Sequence, residues 1–316
     1  MTLREYVDSL QNKTVAVLGI GVSNTPLVRL LLDSGIRVTA CDKRTREELG
    51  ALTHELEGAG CTLRLGPDYL EGLHEDVIFR TPGLRPDVPQ IAAAVANGSV
   101  LTSEMEAFFQ VCPCPIIAVT GSDGKTTTTT IIAELLKAAG NTVWLGGNIG
   151  HPLLCDAEGM QPHDYAVLEL SSFQLMTMDR SPHIAVVTNL APNHLDVHKS
   201  YQEYIEAKEN VFLHQGKGGV TVFNADNADS QVSARKAPGE VRWFSRQGRV
   251  ENGVFLEDGV LYQAEGGSVT PILPISDIAL PGMHNVENYM AAFAAVRGLV
   301  SAETMDAVAR SFHGVE

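Results

Sequence analysis

Val119-Thr-Gly-Ser-Asp-Gly-Lys-Thr-Thr127 is the stretch on which the reading of this chain turns. An apolar, β-branched run, Pro115-Ile-Ile-Ala-Val-Thr120, leads into it, and a helical pattern over 125–139 follows. A glycine-bearing loop between a strand and a helix offers backbone N–H groups to phosphate oxygens, helped by the positive end of the helix. In such a loop Lys125 reaches the terminal phosphates and Thr126 offers a hydroxyl to Mg²⁺. The full Walker pattern wants glycine at 119, where this chain has valine, so the shorter form starting at Thr120 is the one present. Nucleotide binding by Thr120, Gly121, Ser122, Asp123, Gly124, Lys125, Thr126 and Thr127 is the expectation.

The same rhythm extends on both sides. Upstream, residues 14–19, 37–41 and 76–80 read as buried strands and 23–34 as a helix. Downstream, strands are expected near 142–145, 165–170, 183–189 and 219–224. Alternation of strand and helix is the mark of an α/β fold with parallel sheets. Val111-Cys-Pro-Cys-Pro115 breaks the rhythm, because two prolines so close fit neither element. The expected organisation is a Rossmann-like domain over 1–111 and a nucleotide-binding central domain over 112–316. Gly-rich turns over 241–263 predict a small antiparallel appendage. A helical run from 284 to about 300 and a second short helix close the chain.

Composition narrows the function classes. The 316 residues are 44% apolar and 19% charged, ordinary for a folded protein of about two domains. No run approaches the ~20 apolar residues of a membrane span, and the N-terminus lacks an export signal. Five scattered cysteines form neither a redox nor a zinc motif, which fits a reduced cytoplasm. Net charge is −15 with no basic run, which argues against a nucleic-acid partner. Small anionic ligands remain compatible, since backbone N–H groups can hold them locally.

Other loops and charges invite chemistry. Gly19-Ile-Gly21-Val-Ser23-Asn24 follows the first strand, although a dinucleotide loop would carry glycine where Asn24 stands. Asp42 ends the second strand, where an acidic residue commonly meets a ribose, with Lys43 beside it. Thr81-Pro82-Gly83 is a further loop at a strand end, and two such loops at one sheet edge suit a phosphate-bearing ligand. Glu169 interrupts an apolar strand, which is costly unless the carboxylate is paired or faces a metal. His194-Leu-Asp-Val-His198 lacks the HExxH pattern of zinc sites, so His194 suits a hard cation or phosphate and His198 reads as a loop histidine. Lys208 shares a helical face with Tyr201, Tyr204, Ile205, Val211 and Phe212. Such a lysine snorkels to water or, if buried, loses its charge and becomes open to modification.

Taken together these residues resemble the Mur ligases of peptidoglycan synthesis. The nucleotide loop marks the wider family. Ser103-Glu-Met-Glu-Ala-Phe-Phe109, Gly146-Gly-Asn-Ile-Gly150, Leu168-Glu-Leu-Ser-Ser-Phe-Gln-Leu175 and Asn193-His-Leu-Asp196 are similar to its D-glutamate-adding branch. Leu280-Pro-Gly-Met-His-Asn285 matches the family's asparagine motif. The resemblance implies ATP-dependent amide formation through an acyl phosphate, with UDP-N-acetylmuramoyl-L-alanine, D-glutamate and ATP as partners. It implies two Mg²⁺ sites: Thr126 and Glu169 at one, His194 and a carboxylated Lys208 at the other. Asn148, Ser171 and His194 would approach the substrate, and Asn285 the adenine. Gly21, Val22, Ser23, Asn24, Asp42, Lys43, Thr81, Pro82 and Gly83 would hold the uridine nucleotide. A cytoplasmic monomer is expected. Family members continue past a Phe-x-Gly-Val-Glu segment into a third domain, so a chain with that domain absent is expected to bind substrate and ATP with little turnover. The alternatives are a Mur-type ligase acting on another muramoyl peptide or on folate, and a nicotinamide-dependent dehydrogenase, which would leave the nucleotide loop idle. A GTPase would need an Asn-Lys-x-Asp motif, which the sequence lacks.

Overall fold

The computed structural model describes residues 1–193 and 197–314. Within it the chain forms two compact units, Met1–Pro113 with His151–Met160, and Cys114–Gly150 with Gln161–Glu316.

The first unit carries β1 (Thr14–Leu18), β2 (Arg37–Asp42), β3 (Thr62–Leu65), β4 (Val77–Arg80) and β5 (Val100–Thr102). They form one sheet in the order β3-β2-β1-β4-β5, and every pairing is parallel. Helices on both faces explain why Val15, Ala16, Val17 and Leu18 are all buried, with no polar alternation. The strand order reverses between β1 and β4. Loops following those two strands therefore flank the crevice where open α/β sheets take ligands.

Residues 151–160 belong to this first unit, not to one uninterrupted central domain from 112 onward. Leu153 and Leu154 are buried, and the Leu154 N–H donates to Glu104 Oε1 at 2.9 Å. Burial raises the Glu104 carboxyl to about 7, ahead of the opposing effect of that hydrogen bond. Two leucines and a buried acceptor outweigh chain proximity, and nothing in the local pattern at 151–160 announces it.

The second unit contains β6 (Ile116–Thr120), β7 (Val143–Gly147), β8 (Tyr165–Glu169), β9 (Ile184–Val187), β10 (Val220–Asn224), β11 (Glu240–Ser245), β12 (Gly253–Glu257), β13 (Val260–Glu265) and β14 (Ser268–Pro274). Their order is β14-β13-β12-β11-β10-β9-β6-β8-β7. From β7 to β12 all pairs are parallel; only β12–β13 and β13–β14 are antiparallel. The antiparallel appendage expected over 241–263 is present, but its bounds shift to 253–274. β11 and β12 extend the parallel sheet, and the antiparallel ribbon runs on to Pro274. Helix Lys125–Ala138 packs Ile131, Ile132, Leu135 and Leu136 against Tyr289, Met290 and Phe293 of helix Met283–Val296. From Tyr289 to Val296 the latter helix is apolar all round because this half lies inside the core, and it ends at Val296 as Arg297 turns extended. Among the described residues, no helix is long and apolar enough to cross a membrane.

Candidate active site

β6 runs directly into the nucleotide loop, and two glycines shape it. Gly121 has φ +148° and Gly124 φ +77°, a region that favours glycine. A Cβ on Gly121 would overlap the Thr188 hydroxyl, and one on Gly124 would overlap the Asn288 amide oxygen. Neighbouring chain pins the loop: the Ser122 N–H donates to Asn189 O at 3.0 Å, and the Asp123 N–H to Asn189 Oδ1 at 3.0 Å. Gly124 stands at the N-cap of helix Lys125–Ala138 and brings no side chain to its first N–H groups. That leaves the helix start open to an anion. Lys125 is folded back on the loop, its Nζ donating to Ser122 O at 3.0 Å.

The loop opens on a cleft of about 520 Å³ in the same unit. Glu169, the last residue of β8, is buried in its wall. Its Oε2 accepts from Thr126 Oγ1 at 2.6 Å and its Oε1 from Asn148 Nδ2 at 2.8 Å. Gly147 lets the chain graze β8, where a Cβ would strike Glu169 O, and so delivers Asn148 to this carboxylate. Thr127, Ser171 and Phe173 also line the cleft. Ser171 caps the short helix Ser172–Leu175, accepting from the Gln174 N–H at 3.2 Å.

Lys208 closes the cleft floor from helix Tyr201–Leu213 and is 2% exposed. Its Nζ donates to Gly121 O at 2.8 Å and to Thr120 Oγ1 at 3.3 Å, and lies 4.7 Å over the Tyr204 ring. Burial, and then the positive charge of Lys125, push its pKa down to about 7, against the pull of Glu169 and Asp123. A substantial share of the amine is therefore neutral at physiological pH, able to act as a nucleophile.

Other expectations land differently. Thr120 lies beneath the loop, fully buried, with its hydroxyl donating to Leu170 O at 2.8 Å. Asn285 does not line the cleft: its Nδ2 donates to Pro281 O at 2.6 Å and its Oδ1 accepts from Asn288 at 3.1 Å. Asn288, which the sequence reading passed over, is the residue that touches the loop, against Gly124 and accepting from Thr128. A second asparagine, three residues after Asn285 and so near the same helical face, was the available signal. Tyr204, on the helical face of Lys208, is a wall of the cleft. His198 lies in the loop before helix Tyr201–Leu213, as expected, and is buried there, 3% exposed. His194 lies outside the described residues.

In the first unit a second cavity, about 530 Å³, is lined by Gly19 and Gly21, Asp42 to Arg44, Tyr69, and the Thr81 and Gly83 loop. Gly19 (φ +88°) sits so close to Thr81 that a Cβ would crowd its methyl at 3.0 Å. Asp42 lines this cavity with its carboxylate already bonded within its own loop. It accepts from the Ile20 N–H at 2.7 Å, the Arg44 N–H at 2.9 Å, and Arg44 Nε and Nη2 at 2.9 and 2.8 Å. Burial would raise its carboxyl, but these bonds outweigh it and hold it below the ordinary range. Asn24 turns inward, its Nδ2 bonding Leu18 O and Gly19 O at 3.1 and 3.0 Å, while Val22 stands out in solvent. Arg80, unremarked in the sequence, is buried and props the second loop by donating to Pro82 O and Leu84 O at 3.0 Å each.

The Mur ligase middle domain profile matches residues 119–296. The UDP-N-acetylmuramoylalanine–D-glutamate ligase of Ruminiclostridium cellulolyticum is 50% identical over 315 residues, 99% of this chain and 68% of the relative. The ligase of that name from Acetivibrio thermocellus is 49% identical over the same span. The chain belongs to the Mur ligase family. Among solved structures, the UDP-N-acetylmuramate:L-alanyl-γ-D-glutamyl-meso-diaminopimelate ligase from Neisseria meningitides superposes with TM-score 0.63 at 20% identity, covering 96% of this chain and 99% of that one. The UDP-N-acetylmuramate-alanine ligase of Thermotoga maritima gives TM-score 0.54 at 19% identity, covering 96% and 70%. Both likenesses speak to the fold of this Mur ligase. The cleft residues from Ser122 to Lys208 lie inside the matched middle domain, whereas the first-unit cavity lies outside it.

Proposed function

We propose that this Mur ligase joins D-glutamate to UDP-N-acetylmuramoyl-L-alanine with consumption of ATP, a step in making peptidoglycan precursor. The carrying observation is one cleft that unites a nucleotide loop, a buried carboxylate bonded to the loop threonine, and a buried lysine. Loop N–H groups and Lys125 hold the β- and γ-phosphates, Lys125 exchanging its bond to Ser122 O for phosphate oxygens. An alanyl carboxylate oxygen attacks the γ-phosphorus, the bond to the β-phosphate bridging oxygen breaks, and ADP leaves. The D-glutamate amine then attacks the acyl carbon, a proton leaves the nitrogen, and inorganic phosphate departs. Both steps depend on alignment and on neutralising charge.

The paired oxygens of Thr126 and Glu169 are hard donors suited to Mg²⁺, with Asn148 fixing the carboxylate from the other side. Bound Mg²⁺ would neutralise charge on the transferring phosphoryl group. A second Mg²⁺ is assigned to His194 and a carboxylated Lys208. The neutral Lys208 amine attacks CO₂, forms an N–C bond, releases a proton and becomes an anionic carbamate. Loops Gly21 to Asn24 and Thr81 to Gly83, with Lys43, take the uridine diphosphate through backbone N–H groups and the ammonium, and Asp42 through its hold on the loop. A cytoplasmic monomer completes the proposal.

Calorimetric titration tests it, comparing UDP-N-acetylmuramoyl-L-alanine with the muramoyl dipeptide and tripeptide nucleotides and with a folate. The alanyl nucleotide should bind at least tenfold tighter than the others. Tighter binding of a longer peptide or of folate overturns the assignment. Carboxylation of Lys208 is read separately, by a ¹³C carbamate resonance after ¹³C-bicarbonate is added. That resonance should be absent in Lys208→Met.

A further inference from the structure

His198 has no part in the chemistry above, yet it touches three groups of the cleft wall. Its imidazole lies flat against Phe173, with centroids 5.1 Å apart and planes 12° from parallel. It meets Tyr204 edge-on at 5.3 Å and 80°. Its Nε2 is 2.9 Å from Ser172 Oγ, and its Nδ1 is 3.5 Å from Glu203 Oε2. Phe173, Ser172 and Tyr204 all line the cleft. Tyr204 in turn places its hydroxyl 3.0 Å from Ser122 Oγ and its ring beneath Lys208 Nζ.

We propose that His198 is a positioning residue that fixes the cleft wall facing the acyl end of the substrate. Its ring bridges the short helix Ser172–Leu175 and the helix Tyr201–Leu213 at their cleft ends, while Asn210 Nδ2, donating to Leu175 O at 2.9 Å, ties them farther along. Phe173 and Tyr204 both line the cleft, so their placement sets the width available to a small alkyl carboxylate. Stacking controls the Phe173 plane, and the edge contact controls the Tyr204 plane. The bond to Ser172 stops the imidazole rotating between them. Side chains held in this way keep a reacting carboxylate in register, where an ångström of slack is expensive. This inference rests on the substrate reading proposed above, because only that reading places an alanyl carboxylate at this wall.

The test compares UDP-N-acetylmuramoyl-L-alanine with UDP-N-acetylmuramate, which lacks the alanine, by calorimetry on wild type, His198→Ala and His198→Phe. Mg-ATP affinity and melting temperature are measured in parallel. In His198→Ala the preference for the alanyl nucleotide should fall about tenfold, with Mg-ATP and muramate affinities within twofold of wild type. His198→Phe keeps the ring stack without the hydrogen bond and should recover at least a third of the lost preference. If His198→Ala does not fold, a partial loss of preference in His198→Phe supports the proposal and an unchanged preference overturns it. Equal weakening of both nucleotides, the mark of a role in stability alone, also overturns it. A wild type with no preference for the alanyl nucleotide removes the substrate reading, and this inference with it.

Discussion

In the first unit the carboxylate at a strand end, Asp42, is saturated by Ile20 and Arg44. In the second, Glu169 also stands at a strand end but holds one hydroxyl and one amide that both belong to the cleft. The two crevices otherwise follow one plan, with a glycine turn after a central parallel strand and a helix beginning just beyond it. Their charges have different duties. In the first cavity the acidic group shapes a loop, and Arg44, an exposed partner, is consumed in doing so. In the second, Lys125, Glu169 and Lys208 converge on one space with bonds that a ligand can replace. A loop built to recognise spends its charges on its own conformation; a site built for phosphoryl transfer keeps them available.

Lys125→Ala gives the largest expected effect and would break this contrast if it failed. Lys125 makes its hydrogen bond to its own loop, at Ser122 O, so removing it should leave the fold intact. Mg-ATP affinity should fall thirty- to hundredfold, about 2–3 kcal/mol for a charged hydrogen-bond donor. Calorimetry at matched salt decides; unchanged affinity would mean that the cleft does not hold phosphates.

Lys208→Met asks what the second site costs. Holding an amine whose pKa is pushed from 10.5 to about 7 costs about 4 kcal/mol at neutral pH. Losing its two hydrogen bonds gives back about 1 kcal/mol each. In metal-free and bicarbonate-free solution the variant should therefore be more stable by about 2 kcal/mol at pH 7, the usual trade of stability for function. Between pH 7 and 10.5 the unfolded wild type binds more protons than the folded one, so wild-type stability rises with pH. The advantage of the variant should shrink across that window. Urea melts at pH 6, 8 and 10 followed by Trp144 and Trp243, both in the second unit, measure this. A pH-independent difference would show that Lys208 keeps its charge.

Asp42→Asn is the smallest effect and sharpens the other half of the comparison. Arg44 is 41% exposed, so solvent screens the pair and the loss should be about 1–2 kcal/mol, confined to the first unit. The Asp42 carboxyl sits below its ordinary pKa, so its contribution is complete above the normal carboxylate range and disappears as pH falls through the depressed value. Hydrogen exchange of segment 14–44 should quicken in the variant at pH 6 and converge with wild type near pH 2. Nucleotide affinity at Lys125 should not move.

Local pattern carried the strand–loop–helix over 115–125, the acidic interruption at Glu169 and the buried helical face of Lys208, because each is a matter of period and neighbours within a few residues. The relation between these groups was out of reach of pattern. Glu169 lies 43 positions from Thr126 in the chain, and their 2.6 Å bond exists because β8 pairs beside β6 in register. The same limit applies in two other places. Asn285 and Asn288 are equivalent as letters, and only the packing of helix Met283–Val296 on the nucleotide loop selects the second. The letter Asp42 gives no sign of the bonds that Arg44 folds back to make with it.

By itself, then, the amino-acid order determined two α/β sheets with parallel cores, a glycine loop between strand and helix, and a lysine set in an apolar helical face. Only the tertiary structure decided that residues 151–160 join the first unit, that the parallel sheet runs on through β12, and that His198 braces Phe173 and Tyr204. Periodicity and turn chemistry act over single turns and strands, so they are written locally. Burial and charge pairing are settled by whichever distant side chain arrives alongside, and that depends on the order in which the strands assemble.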